Sequence, residues 1–199
     1  MEAPNEPLKP AALVWAAVVF YGLMAGAGLL VMTLGGVDPK AAVFGGTDSG
    51  EPPNVLLDVL IGAGAGLGIV LLTWLTRSLK PMRELKRELG SVLGRPSSGA
   101  IAILAITSAV GEELLFRGAL QPLIGFWLTA VVFGLLHGAH DPKLWGWAIF
   151  AVLAGFLLGW LTQVTGSLLA PILTHLTVNY WNLHALVADV PSGPARSDA

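Results

Sequence analysis

Apolar residues run almost unbroken through this chain, and charges interrupt the runs rather than alternate with them. Residues 11–37, 59–76, 118–140 and 144–188 contain no Asp, Glu, Lys or Arg. A membrane-spanning helix needs roughly 20 mainly apolar residues, so each run is close to that length or beyond it. The runs are broken by GGVDPK, by GGTDSGEPPN, by Gln121-Pro122, by Asp141-Pro142-Lys143 and by Thr165-Gly166-Ser167, all of them turn-forming sequences. Six spans follow: 11–34, 55–76, 99–119, 123–140, 144–163 and 167–188. The expected fold is all-α, a polytopic membrane helix bundle of about six transmembrane helices.

Two shorter patterns refine this layout. IGAGAGLG, residues 61–68, forms a small-residue stripe that lets two helix backbones approach closely, a packing feature. PMRELKRELGSVL spaces Met82, Leu85, Leu89 and Val92 at helical intervals with charges on the other face. It reads as a short helix on the membrane surface or as a solvated linker. The chain divides into residues 1–98, two N-terminal spans and a basic cytoplasmic linker, and residues 99–188, a four-helix core. Residues 189–199, with PSGPARSDA, read as a disordered tail.

Composition excludes a soluble protein. The chain is 54% hydrophobic and only 12% charged, about half the globular norm of ~25%, with a mean hydropathy of +0.72. Residues 1–10 hold one lysine against two glutamates, and no clean A-x-A site follows, so the first run reads as a retained span rather than a signal peptide. Cysteine is absent, which removes disulfides, thiolate ligands and cysteine nucleophiles. Six of the 11 basic residues lie between 77 and 95: Arg77, Lys80, Arg83, Lys86, Arg87 and Arg95. By the positive-inside rule that loop is cytoplasmic, which places both termini and Lys143 inside and leaves Lys40 outside. The partners this pattern implies are a bilayer and a membrane-associated protein or peptide, not nucleic acid.

Against this background, a few polar groups stand out. An ionised side chain at bilayer depth costs ~2.5–3.5 kcal/mol on insertion scales. Yet Glu112, Glu113 and Arg117 fall in the third span, His137 in the fourth, and His175 and Asn179 in the sixth. Glu113 and Arg117 are four apart and can pair on one helical face. Glu112 points about 100° away and has no partner in the motif. His175 and Asn179 share a face, whereas His184 points about 180° away from His175. His140 and His184 read as interface residues near helix ends. Bundle helices turn buried polar groups toward one another or toward a wet cavity. The alternatives are a polar network that only holds helices together and a site that does chemistry.

These residues also carry a resemblance. Glu112-Glu113-Leu-Leu-Phe-Arg117 matches EExxxR, Phe133-Gly-Leu-Leu-His137 matches FxxxH, and His175-Leu-Thr-Val-Asn179 matches HxxxN. Together, in order and each in a membrane helix, they resemble the CPBP family (CAAX protease and bacteriocin-processing, or Abi) of intramembrane proteases. The likeness covers roughly residues 99–187. It implies an endopeptidase acting on a membrane-associated protein or peptide by CAAX-type processing, leader cleavage or C-terminal anchor trimming. The compact chain resembles the bacterial members, such as the myxosortases, which implies a bacterial cytoplasmic (inner) membrane.

Within that reading Glu112 activates the water and returns the proton, and His137 orients the water. His175 and Asn179 donate to the oxyanion, while Glu113, Arg117 and Phe133 support the site. No cofactor is required. A zinc-dependent version stays open, because Glu112, His137 and His175 supply the ligands of a His₂Glu site, although no HExxH is present. Rhomboid-type chemistry lacks its GxSG and presenilin-type chemistry its second aspartate, since Asp58 stands alone near a span end. A proton-coupled transporter and a catalytically idle immunity or scaffold protein are the other classes.

Overall fold

The computed structural model describes residues 10–46, 54–93, 95–138 and 140–188. Every regular element among these is helical, as the apolar runs require. The expected tail, 189–199, lies outside the described residues.

Helix α1 spans Pro10–Leu34 and is followed by the short α2, Pro39–Phe44. Asp38 caps α2, its carboxylate accepting from Lys40 N at 3.0 Å ahead of Pro39, a residue well suited to a first helical position. Helix α3, Val55–Thr76, starts at Asn54, whose side chain accepts from Leu57 N at 3.1 Å. Helix α4, Lys80–Leu93, occupies the basic linker. Its Met82 and Leu85 are half-buried and its Arg83 and Arg87 exposed, the two-sidedness their spacing predicts. The side chains of Leu89 and Val92 lie outside the described residues.

Helix α5, Ser98–Glu113, is capped by Ser97. Its winding then loosens into a π-helical segment, Leu114–Leu120, before α6, Gln121–Ile124. The continuous third span expected from the sequence thus holds a local change of pitch beside Glu113, a feature common at functional sites. The chain reverses at Gly125, where φ is +85°. Helix α7, Phe126–Leu136, and a 3₁₀ turn, Pro142–Leu144, lead to α8, Trp145–Thr165. Gly166 ends α8 in the left-handed region with φ +65°, and α9 runs Leu169–Val187.

Among the described residues, four helical stretches are long and apolar enough to cross a membrane: Ala11–Leu34, Val55–Thr76, Ser98–Ile124 and Pro142–Thr165. The other two expected spans are present as helices of a different kind. Helix α7 has 11 residues, about 16 Å at 1.5 Å per residue, well short of a ~30 Å hydrocarbon core. Helix α9 has the length, but His175, Asn179, Asn182 and His184 dilute its apolar character. It is sheltered by neighbours, packing on both α3 and α5. The chain is a polytopic helical membrane protein.

The surface confirms which solvent the bundle meets. Leu23, Leu60, Trp127, Leu136 and Leu153 are each more than 60% exposed, an arrangement that suits lipid rather than water. The interior carries the polar residues: Glu112, Glu113, Arg117 and His175 are all buried. Helix α1 packs on α5 and the π segment, α7 on α8, and α3 on α9. The small-residue stripe explains the last pairing. A Cβ on Gly62 would sit 2.6 Å from Ala170 O, and one on Gly66 2.7 Å from Thr177 Cβ, whereas Gly64 and Gly68 face open space. Thr174 then reaches across to donate to Gly62 O at 3.0 Å. Asp58 makes a further tie between helices. It is buried and accepts from Ser167 Oγ at 2.6 Å, which ties the start of α3 to the α8–α9 turn. The sequence gives no sign of this because the partners are 109 residues apart.

Candidate active site

The site grows from the end of α5. Glu112 and Glu113 leave the helix on different faces and enter different networks. Glu113 is fully buried, and its Oε1 accepts from Arg117 Nη1 at 3.0 Å. Arg117, equally enclosed, also donates Nη2 to Gly155 O at 3.2 Å, and its guanidinium lies 4.3 Å from the centroid of Phe133. The i, i+4 pairing expected from spacing is present, and it is bolted to α8 and α7.

Glu113 has a second partner that spacing could not reveal. His175 Nδ1 lies 2.8 Å from the same Oε1. A carboxylate paired with Arg117 accepts, so Nδ1 carries a proton and donates it, leaving Nε2 to face the other way. His137 follows the same logic. Its Nδ1 donates to Phe133 O at 2.6 Å, because a carbonyl can only accept. Both Nε2 atoms therefore face away from their tethers and toward Glu112. His137 Nε2 is 3.6 Å and His175 Nε2 3.8 Å from Glu112 Oε2. That oxygen is buried and has no hydrogen-bond partner among the described residues.

Asn179, one turn beyond His175 on α9, donates Nδ2 to Ser108 Oγ at 2.9 Å. Phe133 backs the cluster, its ring 4.3 Å from that of His137 and 5.0 Å from Phe116, edge to face. Glu112, Phe133, His137, His175 and Asn179 all line one cavity of about 350 Å³. Glu113 and Arg117 do not line it; they sit behind it. The other two histidines stay out of the cavity, as expected. His140 is exposed, and His184 packs edge-on against Tyr180 at 4.8 Å.

Most of the remaining cavity wall is apolar, including Leu13, Leu104, Trp147, Phe150, Leu183 and Leu186. Ser108, Tyr21 and Asn182 add polar groups that the motifs do not contain. Ser108 was readable, since it lies four residues before Glu112 and shares its helical neighbourhood. Tyr21 gives no such signal, because an aromatic residue inside an apolar run looks like lipid-facing surface. Asn182 accepts from Thr73 Oγ1 at 3.0 Å, a bond between α9 and α3 that only packing reveals.

The chemistry available is that of a buried carboxylate beside two imidazole nitrogens at the wall of an apolar cavity. A water there can give one hydrogen to Glu112 Oε2 and the other to an imidazole nitrogen, leaving its oxygen lone pair free. The donor types are those of a His₂Glu zinc site. Among the described residues, however, no three His, Cys, Asp or Glu side chains are disposed to hold a metal ion.

Residues 95–181 match the family model for Rce1-like proteins, described as type II CAAX prenyl endopeptidase Rce1-like. That segment contains all three motifs, with Glu112, Glu113, Arg117, His137, His175 and Asn179. Uncharacterized protein YpbD of Bacillus subtilis (strain 168) is 34% identical over 90 residues, which are 44% of this chain and 46% of that protein. The chain thus spans about half the length of this curated relative. No solved structure matches.

Proposed function

Since residues 95–181 match the family model for type II CAAX prenyl endopeptidase Rce1-like proteins, we propose that this chain is an intramembrane endopeptidase. It hydrolyses a peptide bond of a membrane-associated protein or peptide, by CAAX-type processing, leader cleavage or trimming of a C-terminal anchor. The observation that carries this reading is the approach of Glu112 Oε2 to His137 Nε2 and His175 Nε2 at 3.6 and 3.8 Å, with both Nδ1 atoms tethered elsewhere.

In the proposed reaction Glu112 takes one proton from a water oriented by His137. The water oxygen attacks the carbonyl carbon, and the carbonyl π electrons move to its oxygen. Asn179, and His175 when protonated on both nitrogens, donate to that oxyanion, each such donor being worth about 2.7–4 kcal/mol. Collapse breaks the C–N bond, and Glu112 returns its proton to the leaving amine. Glu113, Arg117 and Phe133 hold His175 and His137 at fixed tautomers and angles. The apolar cavity fits a substrate segment that is itself apolar near the scissile bond.

The second reading is a zinc-dependent form of the same protease. Metal-binding histidines fix their free nitrogen by donating the other to a carboxylate or backbone carbonyl, which is how His175 and His137 are held. A transporter is favoured less, because the polar groups converge on one cavity rather than forming a path. We place the chain in a bacterial cytoplasmic membrane with both termini inside, given the basic α4 region and the Bacillus relative.

The test compares membranes from cells making the wild-type chain, the Glu112→Gln variant or neither. Mass spectrometry should find membrane proteins whose termini are shortened only with the wild type. Identical termini in all three would end the protease reading.

A further inference from the structure

Tyr21 lies in α1, far outside the segment that matches the protease family. It is the one titratable side chain in residues 11–37, and it does not face lipid as its neighbour does. Phe20 is 58% exposed, whereas Tyr21 is half-buried. Gly111 explains how it reaches the interior. A Cβ at position 111 would sit 2.5 Å from Tyr21 O and 3.1 Å from Tyr21 Cβ. The glycine directly before Glu112 therefore lets the α1 backbone settle against α5 at this level.

Glu112 and Tyr21 then share the cavity wall. A hydroxyl surrounded by apolar helices needs an acceptor. Glu113 is not available on this side, being occupied by Arg117 and His175. Oε2 of Glu112 faces the two imidazole nitrogens.

We propose that Tyr21 is a positioning residue for Glu112. Its hydroxyl donates to Oε1 and holds the carboxylate so that Oε2 points at His137 and His175, where the substrate water is activated. Helix α1 is then part of the active site rather than an accessory anchor, and the family-matched segment is incomplete without it. The inference rests on the reading of Glu112 as the base, but its geometry can be tested apart from turnover.

The experiment uses the full chain in lipid nanodiscs. The infrared carboxylate bands of Glu112 are isolated by subtracting the spectrum of Glu112→Gln from that of the wild type. Tyr21→Phe is expected to shift those bands, because losing the donor changes the two C–O bond orders. With a prenylated CAAX peptide as probe, Tyr21→Phe should lower kcat about tenfold or more, the usual weight of a hydrogen bond to a charged group, with KM little changed. Unshifted bands overturn the proposal, and so does a loss confined to KM. A wild type that leaves the peptide uncut counts against the substrate reading alone, and the infrared bands still decide Tyr21. Should Tyr21→Phe fold poorly, 3-fluorotyrosine in a Tyr180→Phe background labels position 21 alone, since the chain has two tyrosines. Its more acidic phenol should move the Glu112 bands, and bands that stay put reject the contact.

Discussion

Glu113 Oε1 lies 2.8 Å from His175 Nδ1 while accepting from Arg117 at 3.0 Å, so one buried oxygen joins α5 and the π segment to α9. The adjacent Glu112 instead meets the cavity. Two neighbouring carboxylates are thereby given different work by the helix turn alone: one orders the frame, and the other is left facing the imidazole nitrogens.

Removing either member of the frame should damage folding. Glu113→Gln leaves Arg117 buried without its counter-charge, and Arg117→Ala does the same to Glu113. Breaking such a pair typically costs ~3–5 kcal/mol. Thermal stability in detergent should fall sharply for both variants. Unchanged stability in both would mean the ion pair contributes nothing to the fold.

Glu112→Gln should behave in the opposite way. Its amide keeps the shape of the side chain but cannot accept the proton of a water, so hydrolysis should vanish while the melting temperature stays near that of the wild type. Turnover close to normal in the purified variant would remove Glu112 from the chemistry.

On α9 the effects should follow helix face. His175→Ala and Asn179→Ala should lower kcat far more than they raise KM, because oxyanion donors act mainly on the transition state. His184→Ala should be mild, since its ring packs on Tyr180. Weakened substrate affinity as the main effect at 175 and 179 would reassign both residues to recognition. A His184 defect equal to that of His175 would contradict the face assignment.

What the sequence made legible was local. Glu113 with Arg117, His175 with Asn179, and the opposite face for His184 all follow from a period of 3.6 residues. The convergence of three helices was readable as an expectation, because isolated polar groups in apolar helices must find one another. The Nδ1 partner of His175, the Asp58–Ser167 bond and the approach of Tyr21 were not readable. Each depends on how distant helices are turned and spaced, which no local period encodes. The π segment was hidden as well: nothing in LLFRGAL marks a change of pitch, and the segment packs against α1. The length of α7 and the polar residues of α9 misled in a different way, since a charge-free run resembles a full apolar span even when its helix is short or carries His and Asn.

The small-residue stripe offers a stability test that does not involve the site. Gly62→Leu places a side chain where Ala170 O lies 2.6 Å from the new Cβ, whereas Gly64 faces open space. Overpacking of this kind typically costs ~1–3 kcal/mol. Gly62→Leu should lower the melting temperature and Gly64→Leu should leave it nearly unchanged. Equal losses at both positions would mean α3 is rotated from the orientation described.

The remaining question is whether the base works with a metal. If Glu112 acts alone, protein prepared under rigorous chelation should keep its activity, and elemental analysis should find well below one zinc per chain. Water activation would then rest on a carboxylate held in an apolar cavity beside His137, with no Lewis acid required. The zinc reading expects the reverse: activity lost on chelation and restored by zinc, with bound zinc lost in His137→Ala and His175→Ala. It also predicts an effect of Glu113→Gln on zinc affinity, because Glu113 orients the ring of His175 and such outer partners typically change affinity by about 10–100-fold. Metal content and turnover must be measured on one preparation, since zinc bound at a surface site would leave activity untouched. Stoichiometric zinc that rises and falls with activity, and that weakens in Glu113→Gln, would replace the metal-free mechanism.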